Sequence, residues 1–117
     1  MAKHNDDGRA AENLAAQHLT RQGLVVVERN WRARGGELDL VCRDGATLVF
    51  VEVRLRANAA YGGALESIGA TKRRRLISAA EQYLTQYPAH QCRFDVVLLD
   101  GVEGRRIEWI RDAFDAD

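Results

Sequence analysis

Four charged side chains interrupt two stretches of this chain that otherwise have the composition of buried β-strands. Glu37 and Asp39 lie in the first stretch, and Glu52 and Arg54 lie in the second. An unpaired ion in a buried strand loses several kcal/mol of solvation free energy, so each needs a partner of opposite charge. Three carboxylates outnumber the cation, and Mg²⁺ accepts one or two carboxylates together with water and phosphate oxygens. The pattern therefore predicts metal-assisted chemistry on a phosphate-bearing substrate.

An antiparallel hairpin would bring the acids of the two stretches together. The dipeptide Asp44-Gly45 is a strong hairpin signal, and a two-residue turn at these positions pairs the residues that flank it. In that register Asp39 faces Phe50, and Glu37 faces Glu52. Facing carboxylates repel each other, so this arrangement also favours a cation between them.

The same register assigns the side chains to the two faces of the sheet. Because side chains alternate along a strand, the three acids and Arg54 would project from one face. Aliphatic residues would fill the other face: Leu38, Leu40, Val49, Val51 and Val53. A three-residue loop would move one strand's set to the opposite face, and the sequence leaves this open. An ion pair of the acids with Arg54 or Lys72 is the alternative to a metal.

Seven elements must position these side chains, in the order α-β-β-β-α-β-β. The predicted ranges are 8–22, 24–27 with continuation toward Trp31, 36–42, 47–54, 71–86, 94–99 and 105–110. Thr71 is expected to cap the second helix. Residues 1–7 are polar and expected to be flexible, and residues 55–70 are small and glycine-rich, as in a loop. We expect a single α/β domain over residues 1–117, in which helices pack on a mixed sheet.

Charge is distributed unevenly, although the net charge is zero. Residues 54–75 contain six cations and one acid, whereas residues 95–117 contain seven acids and three cations. A phosphate-rich partner fits the basic segment, and the candidate contacts are Arg56, Arg73, Arg74 and Arg75. The run from Lys72 to Arg75 begins the second helix, where cations oppose the helix dipole unless an anion compensates them.

Composition also argues against several classes of protein. No stretch approaches the roughly 18 to 20 apolar residues of a membrane span, and the first residues lack the apolar segment of a signal peptide. Cys42 and Cys92 have no zinc-ligand spacing, which favours free thiols. We therefore expect a cytoplasmic protein without a membrane partner.

Short motifs over nearly the whole chain resemble the YraN-like family of small bacterial proteins. The motifs are Gly8-Arg9-Ala10-Ala11-Glu12, Asn30-Trp31-Arg32, Gly36-Glu37-Leu38-Asp39-Leu40, Phe50-Val51-Glu52-Val53-Arg54, Lys72 and Arg93-Phe94-Asp95. That family resembles the PD-(D/E)xK nuclease superfamily and its Holliday-junction resolvases. The resemblance implies a restriction-endonuclease-like fold, Asp39 and Glu52 as ligands of Mg²⁺ or Mn²⁺, Glu12 as an additional site acid, and a possible homodimer. Glu37 is either a further metal ligand or a loop-end acid held by Arg34.

The chain departs from the superfamily pattern at Arg54, where a lysine is usual. Arginine keeps the positive charge but stays protonated, so it is a poor general base. Lys72, in the first turn of the second helix, is a candidate substitute whose ammonium would approach Glu52. The expected activity is hydrolysis of phosphodiester bonds in nucleic acid, with branched or flapped DNA as the expected substrate. The alternatives are a non-catalytic nucleic-acid-binding or partner-binding module and a purely structural adaptor.

Overall fold

Among the described residues, two helices and five strands follow one another in the predicted order. The computed structural model describes residues 2–56, 68–101 and 106–116, with side chains from Gly8 onward. The elements are α1 (Ala2–Arg21), β1 (Val25–Ala33), β2 (Gly36–Asp44), β3 (Thr47–Leu55), α2 (Ala70–Gln86), β4 (Cys92–Leu99) and β5 (Ile107–Phe114). This confirms the predicted mixed α/β class. The predicted glycine-rich loop at residues 59–63 and most of the predicted turn at 100–104 lie outside the described residues.

The ends of both helices differ from the prediction. Helix α1 begins at Ala2, six residues before the predicted start at residue 8. Helix α2 has Gly69 at its N-cap, and no side chain caps it. Thr71 lies inside the helix, where its hydroxyl accepts a hydrogen bond from Arg74 Nη2 at 3.3 Å, so the predicted Thr71 cap is wrong. Neither helix is long and apolar enough to cross a membrane, within the part of the chain described.

The sheet has the strand order β1-β2-β3-β4-β5, and the chain forms it with one crossover. Strands β3 and β4 are parallel, and the other neighbouring pairs are antiparallel. Parallel neighbours require a long connection, and α2 lies within that connection. The sheet separates two apolar clusters, one under α2 around Phe50, Phe94 and Tyr83, and one under α1 around Leu19, Val49 and Val97. Both faces of the central strands are therefore buried.

The alternation of side chains breaks near the middle of β1 and β2. Leu38 packs in the cluster under α2, whereas Leu40 packs in the cluster under α1. Strict alternation would place both on one face, so the predicted shared face of Leu38 and Leu40 is wrong. The neighbouring strand is irregular at the same level, because Asn30 has a φ of 51° in the left-handed region. Asp39 lies between the two leucines, at the position where the face changes.

Asp95 is the most completely buried charged side chain described, and it ties three strands together. Its carboxylate accepts hydrogen bonds from Arg93 Nε at 3.0 Å, Trp109 Nε1 at 2.9 Å and the backbone N–H of Asp112 at 2.9 Å. Arg93 also donates from Nη2 to Asp44 Oδ2 at 3.0 Å, which links the start of β4 to the end of β2. The ion pair of Arg93 with Asp95 lies at the start of β4, the strand that pairs with β3, on which Glu52 lies.

We expect Asp95→Asn to lower the free energy of unfolding by about 2 kcal/mol. The substitution weakens three hydrogen bonds, because their acceptor loses its negative charge. The new side-chain amide also places N–H groups against the existing donors, with which they cannot form a hydrogen bond. Urea denaturation followed by tryptophan fluorescence, which reports on Trp31 and on Trp109 beside Asp95, measures the change. Asp115→Asn changes an exposed acid just after β5 and serves as the control. Equal stability of the two variants would contradict a structural role for Asp95.

Candidate functional site

The hairpin of β2 and β3 has a register two residues away from the predicted one. Asp44 pairs with Thr47, and the ladder continues to Leu40 opposite Val51. The two turn residues are therefore Gly45 and Ala46. Gly45 has a φ of 61°, and glycine at the first central position is typical of a type II′ hairpin turn. The prediction that Asp44 and Gly45 form the turn is wrong, because Asp44 instead joins the strand and its ion pair with Arg93.

This register brings Asp39 next to Glu52. The residues that follow the last pair of the ladder are Asp39 on β2 and Glu52 on β3, so the predicted pairs of Asp39 with Phe50 and Glu37 with Glu52 are wrong. Asp39 Oδ2 accepts a hydrogen bond from the backbone N–H of Val53 at 2.9 Å. The carboxylate of Asp39 thereby accepts the hydrogen bond that a backbone carbonyl of β2 would accept if the ladder continued beyond Leu40 and Val51. The shift by two residues keeps the alternation of β3, so Glu52 and Arg54 still share a face.

Glu52 is a buried carboxylate without full compensation of its charge. Its side chain is 4% exposed, and its Oε1 has no hydrogen-bond partner among the described atoms. Lys72 Nζ lies 3.5 Å from Oε2, and Arg54 Nη1 lies 3.8 Å from the same oxygen. The contact expected between Lys72 and Glu52 is therefore present. Burial, followed by the neighbouring charge of Asp39, raises the pKa of Glu52 to about 8 despite both cations.

A second acid approaches Asp39 from helix α1. Burial raises the pKa of Glu12, and the charges of Asp39 and Glu37 raise it further. Asn30 Nδ2 donates a hydrogen bond to Glu12 Oε1 at 2.9 Å, which favours the charged form and opposes this rise in pKa. Asp39 therefore acts electrostatically on both Glu12 and Glu52, and Glu37 acts on Glu12. No ion pair joins Glu37 to Arg34 in the part of the chain that is described.

Asn30 is a site residue that sequence reasoning did not assign. It lies in a strand, where asparagine is depleted, and it has the positive φ that asparagine tolerates better than most residues. An asparagine within a strand pattern was therefore the available signal. The backbone turn at Asn30 directs its amide toward α1, where it holds Glu12.

The turn between β1 and β2 is fixed against α2, which positions Lys72 relative to the acids. The side-chain amide of Gln82 accepts a hydrogen bond from Arg34 N at 2.9 Å and donates one to Arg34 O at 3.0 Å. A Cβ on Gly36 would lie 3.1 Å from the carbonyl oxygen of Arg75, so the backbones meet closely there. Glycine at residue 36 permits this approach of β2 to the first turns of α2.

The predicted phosphate contacts occupy different environments. Arg74 and Arg75 are exposed near the start of α2, and the half-buried Arg73 donates from Nε to the carbonyl of Ile68. Arg56 is only 11% exposed and pairs with Asp100 at 2.8 Å and with Glu108 at 3.3 Å. Because its guanidinium is paired with these acids, Arg56 is less available to bind a phosphate. Its position favours a structural role, in which it links β3 to the end of β4 and to β5, over the predicted phosphate contact.

The oxygen ligands at the end of the hairpin fit a hard divalent cation. Mg²⁺ is commonly held by one or two carboxylates with water and phosphate oxygens, and Asp39 with Glu52 supplies such a pair. The observation that supports this fit is Glu52 Oε1, which has no hydrogen-bond partner within the described ranges of the chain. Among the described residues, no three Asp, Glu, His or Cys side chains are grouped closely enough to hold a metal ion. The remaining ligands would therefore come from water and substrate.

Fold and site together define a small mixed α/β protein with a carboxylate pair at the point where two antiparallel strands separate. The profile of the uncharacterised protein family UPF0102 matches residues 11–99, and the chain belongs to this family, which is the YraN family expected from the motifs. The chain is similar over nearly its whole length to UPF0102 proteins of several bacteria.

The similarity to these relatives extends over most of the chain. A UPF0102 protein of Ectopseudomonas mendocina is 54% identical over 119 residues, which cover 99% of this chain and 100% of the relative. One of Dechloromonas aromatica is 59% identical over 110 residues, covering 94% of this chain and 89% of the relative. One of Pseudomonas aeruginosa is 56% identical and covers 95% of this chain and 94% of the relative. The names of these relatives assign no activity to them.

Proposed function

We propose that this protein is a metal-dependent endonuclease that hydrolyses phosphodiester bonds in nucleic acid, with branched or flapped DNA as its substrate. The observation that carries the proposal is the convergence of Asp39 and Glu52 at the end of the β2–β3 ladder, where a buried carboxylate oxygen has no hydrogen-bond partner among the residues that the structure describes. Burying the carboxylate of Glu52 beside the half-buried carboxylate of Asp39 would be unfavourable unless a cation compensated their charge. A site for a divalent cation and a phosphate gives this arrangement a physical reason.

The side chains around the carboxylate pair have complementary roles in this proposal. Asp39 and Glu52 hold Mg²⁺ or Mn²⁺, and Glu37 is a candidate for a further contact. When bound, the metal supplies Lewis-acid polarisation of a phosphoryl oxygen and lowers the pKa of a bound water. Lys72 and Arg54, which both approach Glu52 Oε2, stabilise negative charge on the phosphate.

Glu12 has a separate role in the proposal. Its raised pKa and its hydrogen bond to Asn30 make it a candidate for holding a proton or orienting water beside Asp39. Glu12 lies on α1 and Asn30 on β1, whereas the two cations, Lys72 and Arg54, lie on α2 and β3. The substrate phosphate would therefore lie between Glu12 and Asn30 on one side and Lys72 and Arg54 on the other.

The basic start of α2 is the proposed contact for the nucleic-acid backbone. Arg74 and Arg75 are exposed there, next to Lys72, and phosphate contacts of this kind position a strand without reading its sequence. The family resemblance adds the expectation of a homodimer, since two-fold related sites suit a two-stranded junction.

A nicking assay on branched, flapped and linear DNA tests the proposed function. We expect cleavage that requires Mg²⁺ or Mn²⁺ and that favours the branched or flapped substrates. Binding of these substrates without cleavage in either metal would instead support a non-catalytic nucleic-acid-binding module. The observation that favours this second candidate is Arg54, which cannot exchange a proton at the position where the superfamily has lysine.

Salt dependence separates the binding candidates from each other. Phosphate contacts release counterions, so binding to nucleic acid should weaken steeply between about 50 and 200 mM salt. Binding to a protein partner through apolar contacts should change little over the same range. A flat salt response would favour a partner-binding module on this scaffold.

We expect Lys72→Ala to reduce the rate of cleavage roughly tenfold. Removing a sole donor to transition-state charge typically lowers the rate by about 10² to 10³, and Arg54 remains near the same oxygen of Glu52. Single-turnover rates at saturating DNA separate this effect from weaker binding. Arg74→Ala removes an exposed cation two residues away and should raise KM with little change in kcat. Cleavage by Lys72→Ala at the parent rate would remove the lysine from the mechanism.

A further inference from the structure

A cavity of about 590 Å³ lies at the opposite end of α2 from the carboxylate pair. It is enclosed by the last turn of α2, by β1, by the turn end of the β2–β3 hairpin and by the segment that leads into β4. Its walls include Val27, Leu48 and the rings of Tyr83 and Tyr87. This volume falls in the range of small-molecule sites, roughly 300 to 1,000 Å³. The proposed nuclease function makes no use of it.

The lining of the cavity combines an aromatic surface with positive charge. Tyr87 is 49% exposed, which is unusual for a large apolar side chain, and its ring lies 4.7 Å from that of the buried Tyr83. Arg43 and His90 also line the cavity, and none of its lining residues is an acid. Arg43 forms no hydrogen bond or ion pair with another side chain in the described ranges. Val25, which pairs with Arg43 in the backbone register of the edge strand β1, is also exposed.

We infer that this cavity binds a nucleotide unit, with the base against Tyr87 and the phosphate at Arg43. An exposed ring and a guanidinium that forms no ion pair within the described residues line the same cavity, and they offer the two interactions that a nucleotide needs, stacking of the base and a charge-assisted hydrogen bond to the phosphate. Neither interaction depends on the sequence of bases. The cavity is large enough to hold base, sugar and phosphate together.

The nucleotide has two possible sources with the same chemistry. One is a free nucleotide, and the other is an unpaired nucleotide in a strand that also contacts the start of α2. Arg75 and Tyr87 are twelve positions apart, a distance of about 18 Å along a helix. A single strand covers this distance with about five nucleotides at the duplex rise of about 3.4 Å. The binding itself does not rest on the proposed hydrolysis.

Equilibrium binding of thymidine monophosphate tests the inference with the full-length chain in EDTA. We expect saturable binding that is tighter than that of thymidine or of inorganic phosphate, because each of these lacks one of the two interactions. Tyr87→Ala should weaken binding at least about fivefold, whereas Tyr87→Phe retains the ring and should bind as the parent does. Arg43→Ala should reduce the affinity for the monophosphate to that for thymidine.

Controls and a longer ligand complete the test. Both Tyr87 and Arg43 are exposed, so their variants should keep the parent's circular dichroism and midpoint of denaturation. Absence of saturable binding, equal affinity for an aromatic carboxylate such as phenylacetate, or binding unchanged in both alanine variants would overturn the inference. An eight-residue oligothymidylate that binds more tightly than the monophosphate, and still requires Tyr87, identifies a strand as the source. Equal affinity identifies the free nucleotide. Nucleotide binding should be the same in the parent and in variants of Asp39 or Glu52, whether or not those variants cleave DNA. Failure of the proposed nuclease function is therefore distinguishable from failure of this inference.

Discussion

Without metal, the protein is expected to lose stability as the pH rises from about 4.5 to about 8, and Glu52→Gln should remove most of that loss. Burial and the neighbouring Asp39 raise the pKa of Glu52 from its ordinary value of 4.5 to about 8 in the folded state. Between these values the folded protein retains a proton that the unfolded chain has released. Stability therefore falls with rising pH in this window, by roughly 4 kcal/mol over its full width. Below the window, both states are protonated and the effect vanishes.

Glu52→Gln isolates this contribution, because the amide has nearly the same size and cannot ionise. The variant should match the parent near pH 4.5 and exceed its free energy of unfolding by about 3 to 4 kcal/mol above pH 8. Guanidinium denaturation in EDTA at several pH values measures the difference. Glu81→Gln changes an exposed acid on α2 and should retain the slope of the parent. If the free energy of unfolding had the same pH dependence in the parent and in Glu52→Gln, ionisation of the buried Glu52 would not be the cause of the loss of stability.

Metal addition gives the same prediction a second readout. A cation that binds the ionised pair in the folded state alone stabilises the fold by mass action. Mg²⁺ should therefore raise the midpoint of denaturation of the parent most strongly at and above pH 8, and it should have little effect on Glu52→Gln. An equal response of the two proteins to Mg²⁺ would place any bound metal elsewhere.

The sequence predicts the order of elements well, because each element has a local signal. Gly23 follows α1, apolar residues recur at helical spacing on α2, and β-branched residues mark β3 and β4. The ranges of the central strands are right to within a few residues. The pairing of Lys72 with Glu52 was also predictable, since Lys72 precedes Leu76 by one turn and lies on the same stripe as that buried residue.

The failures come from features that depend on contacts between distant residues. Whether Asp44 belongs to the turn or to the strand depends on Arg93, 49 positions later, which pairs with it. The change of face between Leu38 and Leu40 depends on the irregular backbone of β1 at Asn30. Arg56 belongs to a basic segment in the sequence, but the fold places it against Asp100. Periodicity within one strand contains no information about any of these partners.

Membership of an uncharacterised family leaves the reaction open, so the case for the proposed chemistry rests on the carboxylate pair. Asp39 is the better residue to remove, because its loss affects the proposed metal contact without creating a cavity. Asp39→Asn keeps an oxygen that accepts the N–H of Val53 and removes a negative charge beside Glu52. The variant should therefore be at least as stable as the parent. The pKa of Glu52 should be lower in the variant than in the parent.

We expect Asp39→Asn to reduce metal-dependent cleavage of branched or flapped DNA by at least about 100-fold, the largest effect of any single substitution considered for this chain. Metal contacts contribute several kcal/mol of transition-state stabilisation, and each 1.36 kcal/mol corresponds to a factor of ten in rate. Single-turnover cleavage at saturating Mg²⁺, with DNA affinity measured separately in Ca²⁺, distinguishes lost chemistry from lost binding. Asp115→Asn, an exposed acid at the end of the chain, should cleave at the parent rate. Activity that persists in both Asp39→Asn and Glu52→Gln would mean that the cleavage arises at another site or from another protein, and the carboxylate pair would then be a structural feature of the hairpin.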